Sequence, residues 1–143
     1  MPNSPVCIDA SVVVALVTAE AQSEQALALW SDWMQRDIRV AAPALLQYEV
    51  TSALWRKAVR GRMSVPDARR ALHEALSLDI ELISQSDLCP RSFDLAARFN
   101  RPAAYDTCYL AVAEMLGGEF WTADHKLYNA VSEGFPRTRL LRD

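Results

Sequence analysis

Apolar residues fall along this chain in short runs separated by stretches with helical spacing. Val6, Cys7 and Ile8 form an apolar run that stops at Asp9 and predicts a strand. Ser11 is placed to cap a helix that carries Val14, Leu16 and Val17. From about 23 to 35, Ala26, Leu29, Trp30 and Trp33 share one helical face and predict a second helix. Ile38 to Ala41 predicts the second strand. Pro43 then opens a long helix to about Val59, stopped by Gly61. Ser64 caps the next helix, with Pro66 and Asp67 in its first turn. Ile80 to Ile83 predicts the third strand, and Pro90 begins a helix carrying Phe93, Leu95, Ala96 and Phe99. A further helix from about Ala104 to Leu116 closes on Gly117 and Gly118. Phe120 to Thr122 predicts a fourth strand, ending near Asp124. A short helix and a last strand, Thr138 to Leu141, follow.

Strands separated by helices predict an α/β fold with a mainly parallel sheet covered on both faces. No repeat, low-complexity stretch or linker interrupts the pattern, so residues 1–143 are expected to form a single domain. In such sheets ligands collect beyond the carboxyl ends of the strands, where strand order reverses. Asp9 and Asp124 both follow predicted strands. If the first and fourth strands are neighbours, these two side chains share one crevice.

The length of 143 residues and the 51% hydrophobic content exclude wholesale disorder. A net charge of −3, from 18 acidic and 15 basic residues, argues against nucleic-acid binding driven by charge over the whole surface. A local basic rim stays compatible with it. Cys7, Cys89 and Cys108 have no CxxC spacing and are expected to be buried, reduced thiols. The start lacks a basic region typical of a secretory signal, and the apolar run Val12 to Val17 is too short to span a bilayer. A soluble, cytoplasmic protein without a membrane partner is expected.

The candidate chemistry lies in four acids with apolar neighbours: Asp9, Glu49, Asp106 and Asp124. A carboxylate carried into such surroundings is costly unless paired, protonated or bound to a metal. Asp106, Leu110 and Ala113 share one helical face, which Ala103 is expected to extend backwards; Glu49 lies among Leu45, Leu46, Val50 and Ala53. Both should point toward the sheet. Hard oxygen ligands suit Mg²⁺ or Mn²⁺, and the chemistry such a site serves is attack of water on a phosphodiester. His73 and His125 are the only histidines, and no HExxH motif, GxSxG elbow or phosphate-cradling GxxxxGK[ST] loop occurs. Each acid also has a purely structural alternative. Asp9 and Asp124 could cap helices, Asp106 could complement its helix dipole, and Glu49 could be a half-buried helix residue.

Taken in order, Ile8-Asp9-Ala10-Ser11, Glu49 within Tyr-Glu-Val-Thr-Ser-Ala-Leu, Tyr105-Asp106-Thr-Cys-Tyr-Leu-Ala and Trp121-Thr122-Ala123-Asp124-His resemble the PIN-domain nucleases. Among these the chain is most similar to the small VapC-type toxins of bacterial toxin–antitoxin pairs. The resemblance covers essentially the whole chain. It implies a three-layer α/β/α sandwich with its acidic site at the carboxyl edge of a parallel sheet. It further implies Mg²⁺- or Mn²⁺-dependent cleavage of RNA, a homodimer, and neutralisation by a cognate VapB-type antitoxin. Asp9, Glu49, Asp106 and Asp124 match the family's catalytic and metal-binding acids. Ser11 and Thr122 match hydroxyl positions that orient carboxylates or metal-bound water. Some members carry a further acid just after the third; here Tyr109 and Leu110 occupy that stretch.

Arg56, Lys57, Arg60 and Arg62 cluster where the long helix ends, a placement its dipole favours in any protein. An acidic site also needs positive charge nearby to admit phosphate, so Arg56, Arg60 and Lys126 are candidate RNA contacts. Trp30, Trp33 and Trp55 are expected in the core or an interface. Two other readings of the same residues stay open. One is an RNA-processing PIN nuclease without an antitoxin, the other a catalytically silent binding module. A phosphatase of the haloacid dehalogenase type would want a second Asp where Ser11 stands.

Overall fold

The computed structural model describes residues 4–84 and 86–142. Strands β1 (Val6–Ile8), β2 (Val40–Pro43), β3 (Glu81–Ile83), β4 (Glu119–Thr122) and β5 (Thr138–Leu140) form one sheet in the order β3-β2-β1-β4-β5. Every neighbouring pair is parallel. The helices are α1 (Ala10–Val17), α2 (Ser23–Gln35), α3 (Leu45–Val59), α4 (Val65–Leu76), α5 (Leu88–Arg98), α6 (Tyr105–Leu116) and α7 (His125–Val131). All residues of β1 and β2 are buried, which requires cover on both faces of the sheet. Helix α6 crosses β1, β2 and β4 with α5 packed on it, while α1 packs against α2, α3 and α4. The expected three-layer α/β/α sandwich is what forms.

The core gathers Ile8 of β1, Val12 and Val13 of α1, Leu110 and Val112 of α6 and Phe120 of β4, all essentially without exposure. Each such aliphatic side chain contributes roughly 1.5–3 kcal/mol by leaving water. The sheet's inner strands are thereby rigid supports for whatever their carboxyl ends carry.

Several boundaries differ from the sequence pattern, each for a local reason. The N-cap of α1 is Asp9 rather than Ser11: Asp9 keeps an extended backbone and accepts from the N–H groups of Ser11 at 3.0 Å and Val12 at 3.3 Å. The second strand starts at Val40, two residues later than the apolar run. The Ile38 N–H is already used by Trp33 O at 2.8 Å, in an exit turn where Asp37 takes a φ of 54°. Pro43 consequently ends β2, and α3 begins at Leu45. Ala103 lies outside α6 and is exposed, so it does not extend the Asp106 face; Leu110 and Ala113 on that face are fully buried. Cys7 is buried, but Cys89 is exposed and Cys108 half-buried, since α5 turns Cys89 outward. Ser64 caps α4 as expected, accepting from the Asp67 N–H at 3.1 Å.

Gly117 ends α6 with a φ of 67°, the left-handed conformation that glycine adopts without penalty. The following Gly118 is required for a different reason. A Cβ there would sit 1.9 Å from the carbonyl oxygen of Pro5, at the entry to β1. Trp33 is buried with its ring edge-on to Trp121 at 6.0 Å, Trp30 is half-buried, and Trp55 is exposed on α3. No helix among the described residues is long and apolar enough to cross a membrane.

Candidate active site

Strand order reverses between β1 and β4, which pair with Ile8 opposite Trp121. Asp9 follows at once and is buried, at 7% exposure. Its Oδ1 accepts from the Ser11 hydroxyl at 2.5 Å as well as from the two capping N–H groups. Its Oδ2 accepts from the Thr122 hydroxyl at 2.6 Å. Thr122 in turn accepts from the Asp124 N–H at 3.0 Å, and Ser11 Oγ accepts from the Ala123 N–H at 2.8 Å. Two hydroxyls thus tie the end of β1 to the end of β4 and hold one carboxylate between them. Asp124 is exposed and caps α7, its Oδ1 accepting from the N–H groups of Lys126 at 2.9 Å and Leu127 at 3.1 Å.

The other two acids arrive on helices. Glu49 of α3 is half-buried, and its Oε1 accepts from the Tyr109 hydroxyl at 2.5 Å. Asp106, in the first turn of α6, accepts from Arg101 Nη2 at 3.0 Å. Burial pushes the Asp9 carboxyl from its ordinary 3.8 up to about 6, with the charge of Asp124 adding, against the opposing bonds from Ser11, Thr122 and Val12. Burial also raises Glu49, helped by the like charge of Asp106 and opposed by Tyr109 and Arg56. Tyr109 is held firmly protonated by its own burial and by the carboxylate it serves. For both acids, Asp9 and Glu49, burial outweighs mutual repulsion as the cause.

Asp124 acts electrostatically on Asp9, and Asp106 on Glu49, so the four acids fall into two interacting pairs. Tyr109 is bonded to Glu49 and also feels the charge of Asp9. Among the described residues no three acid, histidine or cysteine side chains stand as a ready-made metal cage. The donor chemistry nevertheless suits a hard cation: all four groups are carboxylates, and Asp9 Oδ2 has one hydrogen bond for two lone pairs. Mg²⁺ in particular binds through one or two carboxylates and keeps its remaining waters.

Glu49 and Ser11 face an open cleft of about 570 Å³. Arg56, Lys57, Arg60 and Arg62 also line it, as do Tyr48 and Tyr105. Arg56 donates to Ser52 Oγ at 3.3 Å and Lys57 pairs with Glu20 at 2.5 Å. Lys126 is exposed on the first turn of α7 and does not line the cleft.

Two residues of this site escape the sequence pattern. Tyr109 looks like core packing, yet it stands three residues after Asp106 on the same helix, a spacing that places both on one face. Arg101 lies in the loop before α6, where no periodicity applies, and nothing in the chain points to its ion pair.

The conserved pattern of the PIN domain matches residues 6–132. The chain is similar to ribonuclease VapC3 of Pyrobaculum aerophilum, 31% identical over 131 residues, which cover 90% of this chain and 93% of the relative. A crystallised protein from the same organism superposes with a TM-score of 0.67 at 26% identity, covering 90% of this chain and 80% of the other. A toxin–antitoxin complex from Klebsiella pneumoniae contains a chain of like fold, with a TM-score of 0.64 at 19% identity and coverage of 96% and 98%.

Proposed function

The chain belongs to the PIN-domain family, and from that membership we propose that it is a metal-dependent ribonuclease, the toxin of a toxin–antitoxin pair. The observation that carries this reading is a buried carboxylate at the sheet's switch point. Ser11 and Thr122 hold Asp9 there, with Glu49 facing an open cleft that Arg56, Lys57, Arg60 and Arg62 also line. In this reading Asp9, Asp124, Asp106 and Glu49 hold Mg²⁺ or Mn²⁺. When bound, the ion supplies positive charge that acidifies water and offsets charge developing on the phosphodiester. The chain's own groups do the remaining work. Ser11 and Thr122 orient Asp9, Tyr109 orients Glu49, and Arg101 fixes Asp106. Arg56 and Arg60 receive the RNA backbone along the cleft, with Lys126 as a contact outside it.

The VapC name of a relative alike over nearly the whole chain, together with a fold neighbour found in a toxin–antitoxin complex, supports a small VapB-type antitoxin as partner. Such a partner gains most by presenting a basic side chain to the acidic pocket. Exposed Trp55, Val59 and Val65 between α3 and α4 support a protein-covered surface, consistent with a homodimer. RNA as the substrate supports a cytoplasmic location. The decisive test is RNA cleavage by the purified chain with Mg²⁺ or Mn²⁺, with EDTA, and with the neighbouring gene's product added. Cleavage is expected only with the ion and without the partner; undiminished cleavage in EDTA overturns the mechanism.

A further inference from the structure

The two most exposed aromatic rings near the site are not where packing would put them. Tyr48 is 77% exposed and Tyr105 is 62% exposed, and each immediately precedes a candidate acid, Glu49 and Asp106. Both line the same cleft as Glu49. Along α3 the helical repeat places Tyr48 and Ser52 in one row and Glu49, Ala53 and Arg56 in the next, with Arg60 following at the helix end. That face passes from ring and acid to bare positive charge over about 16 Å of helix. Arg60 and Arg62 carry no ion pair among the described residues, so their charge is available to a ligand.

A cleft lined by both positive charge and exposed ring faces has the chemistry of a single-stranded nucleic-acid site. Charge follows the phosphates, and rings stack bases whatever their identity. Bases in a duplex are already stacked and paired, so ring faces gain nothing from them. We propose that Tyr48 and Tyr105 are base-stacking residues flanking the acidic site, which hold an unpaired strand there by their ring faces. This rests on the ribonuclease reading for its ligand class but not for its test.

The test uses the full chain, with a short unstructured fluorescent oligoribonucleotide and the same strand annealed to its complement. Binding is followed by anisotropy in EDTA. Wild type is expected to prefer the unpaired strand, and Tyr48→Ala or Tyr105→Ala to weaken that binding by about tenfold. Tyr48→Phe and Tyr105→Phe keep the ring and should match wild type. In Mg²⁺ the Ala variants should raise KM far more than they lower kcat. Equal binding of duplex and single strand, or Ala variants that bind as wild type does, overturns the proposal. It also falls if the Ala variants bind RNA normally but no longer retain a co-expressed protein partner, since the rings then serve a protein interface. Tyrosine-dependent binding without cleavage would sink the nuclease reading and leave this one standing. Cleavage with KM unmoved in the Ala variants would do the reverse.

Discussion

Asp9 carries three loads at once: it ends β1, caps α1 and supplies the most deeply buried carboxylate of the site. Its raised pKa sets a direction for stability. With a folded value near 6 above the ordinary 3.8, the folded state favours the neutral acid. The contribution is therefore fully present below about pH 4 and is lost as pH rises through about 6, amounting to about 3 kcal/mol. In EDTA, urea unfolding from pH 4 to 7 should show wild type losing stability relative to Asp9→Asn over that window. Parallel curves would mean that burial does not oppose its ionisation. Tyr109 makes a second residue-scale prediction. Tyr109→Phe keeps the packing against Phe120, whose ring lies 6.3 Å away, but removes the hydroxyl that donates to Glu49 Oε1. The fold should survive with about 1 kcal/mol lost. Ribonuclease activity should fall about tenfold. An unchanged kcat would deny Tyr109 any role in holding Glu49.

At the scale of elements, the active edge depends on how β1 and β4 are delivered to one another. The Gly117–Gly118 pair does this by two separate devices: a left-handed residue ends α6, and a missing side chain lets β4 begin against Pro5. Gly118→Ala places a methyl on a backbone oxygen that cannot move without shifting β1. A loss of about 3 kcal/mol is expected. The urea midpoint should drop well below that of Ser64→Ala, which removes only an exposed cap worth about 1 kcal/mol. Equal midpoints would show that the approach of Pro5 relaxes freely. The two hydroxyl bridges, Ser11 to Ala123 and Thr122 to Asp9, then lock the pair of strand ends after the strands have met.

Over the whole molecule, the sheet supplies Asp9 and Asp124 at the ends of β1 and β4, while helices supply Glu49 and Asp106; burial disfavours ionisation of Asp9 and Glu49, and Arg101 pairs with Asp106. A divalent ion bound there should stabilise the folded state by mass action, by about 2.7 kcal/mol at a hundredfold excess over Kd. The melting temperature should rise on adding Mg²⁺ or Mn²⁺ to wild type, and hardly at all for Asp9→Asn or Asp106→Asn. Equal rises in all three would locate the ion elsewhere.

Alternating apolar runs and helical faces already determine an α/β chain with parallel strands, and four acids in apolar settings already single out the candidate site. Those signals survive in the chain because they are local: a strand run, a capping position or a one-face stripe depends on residues within a turn or two. Strand order was not local. That β1 and β4 are neighbours follows from which helices cover which face, and only the packed sheet decides it. The same holds for Tyr109, a core residue by pattern that becomes Glu49's donor once α6 and α3 meet. It holds for Arg101, whose loop has no period to read, and for the start of β2, where an exit turn claims the Ile38 N–H that the apolar run offers to the sheet. Tertiary structure alone could set these, because each is a contact between segments far apart in the chain or a competition for one hydrogen bond.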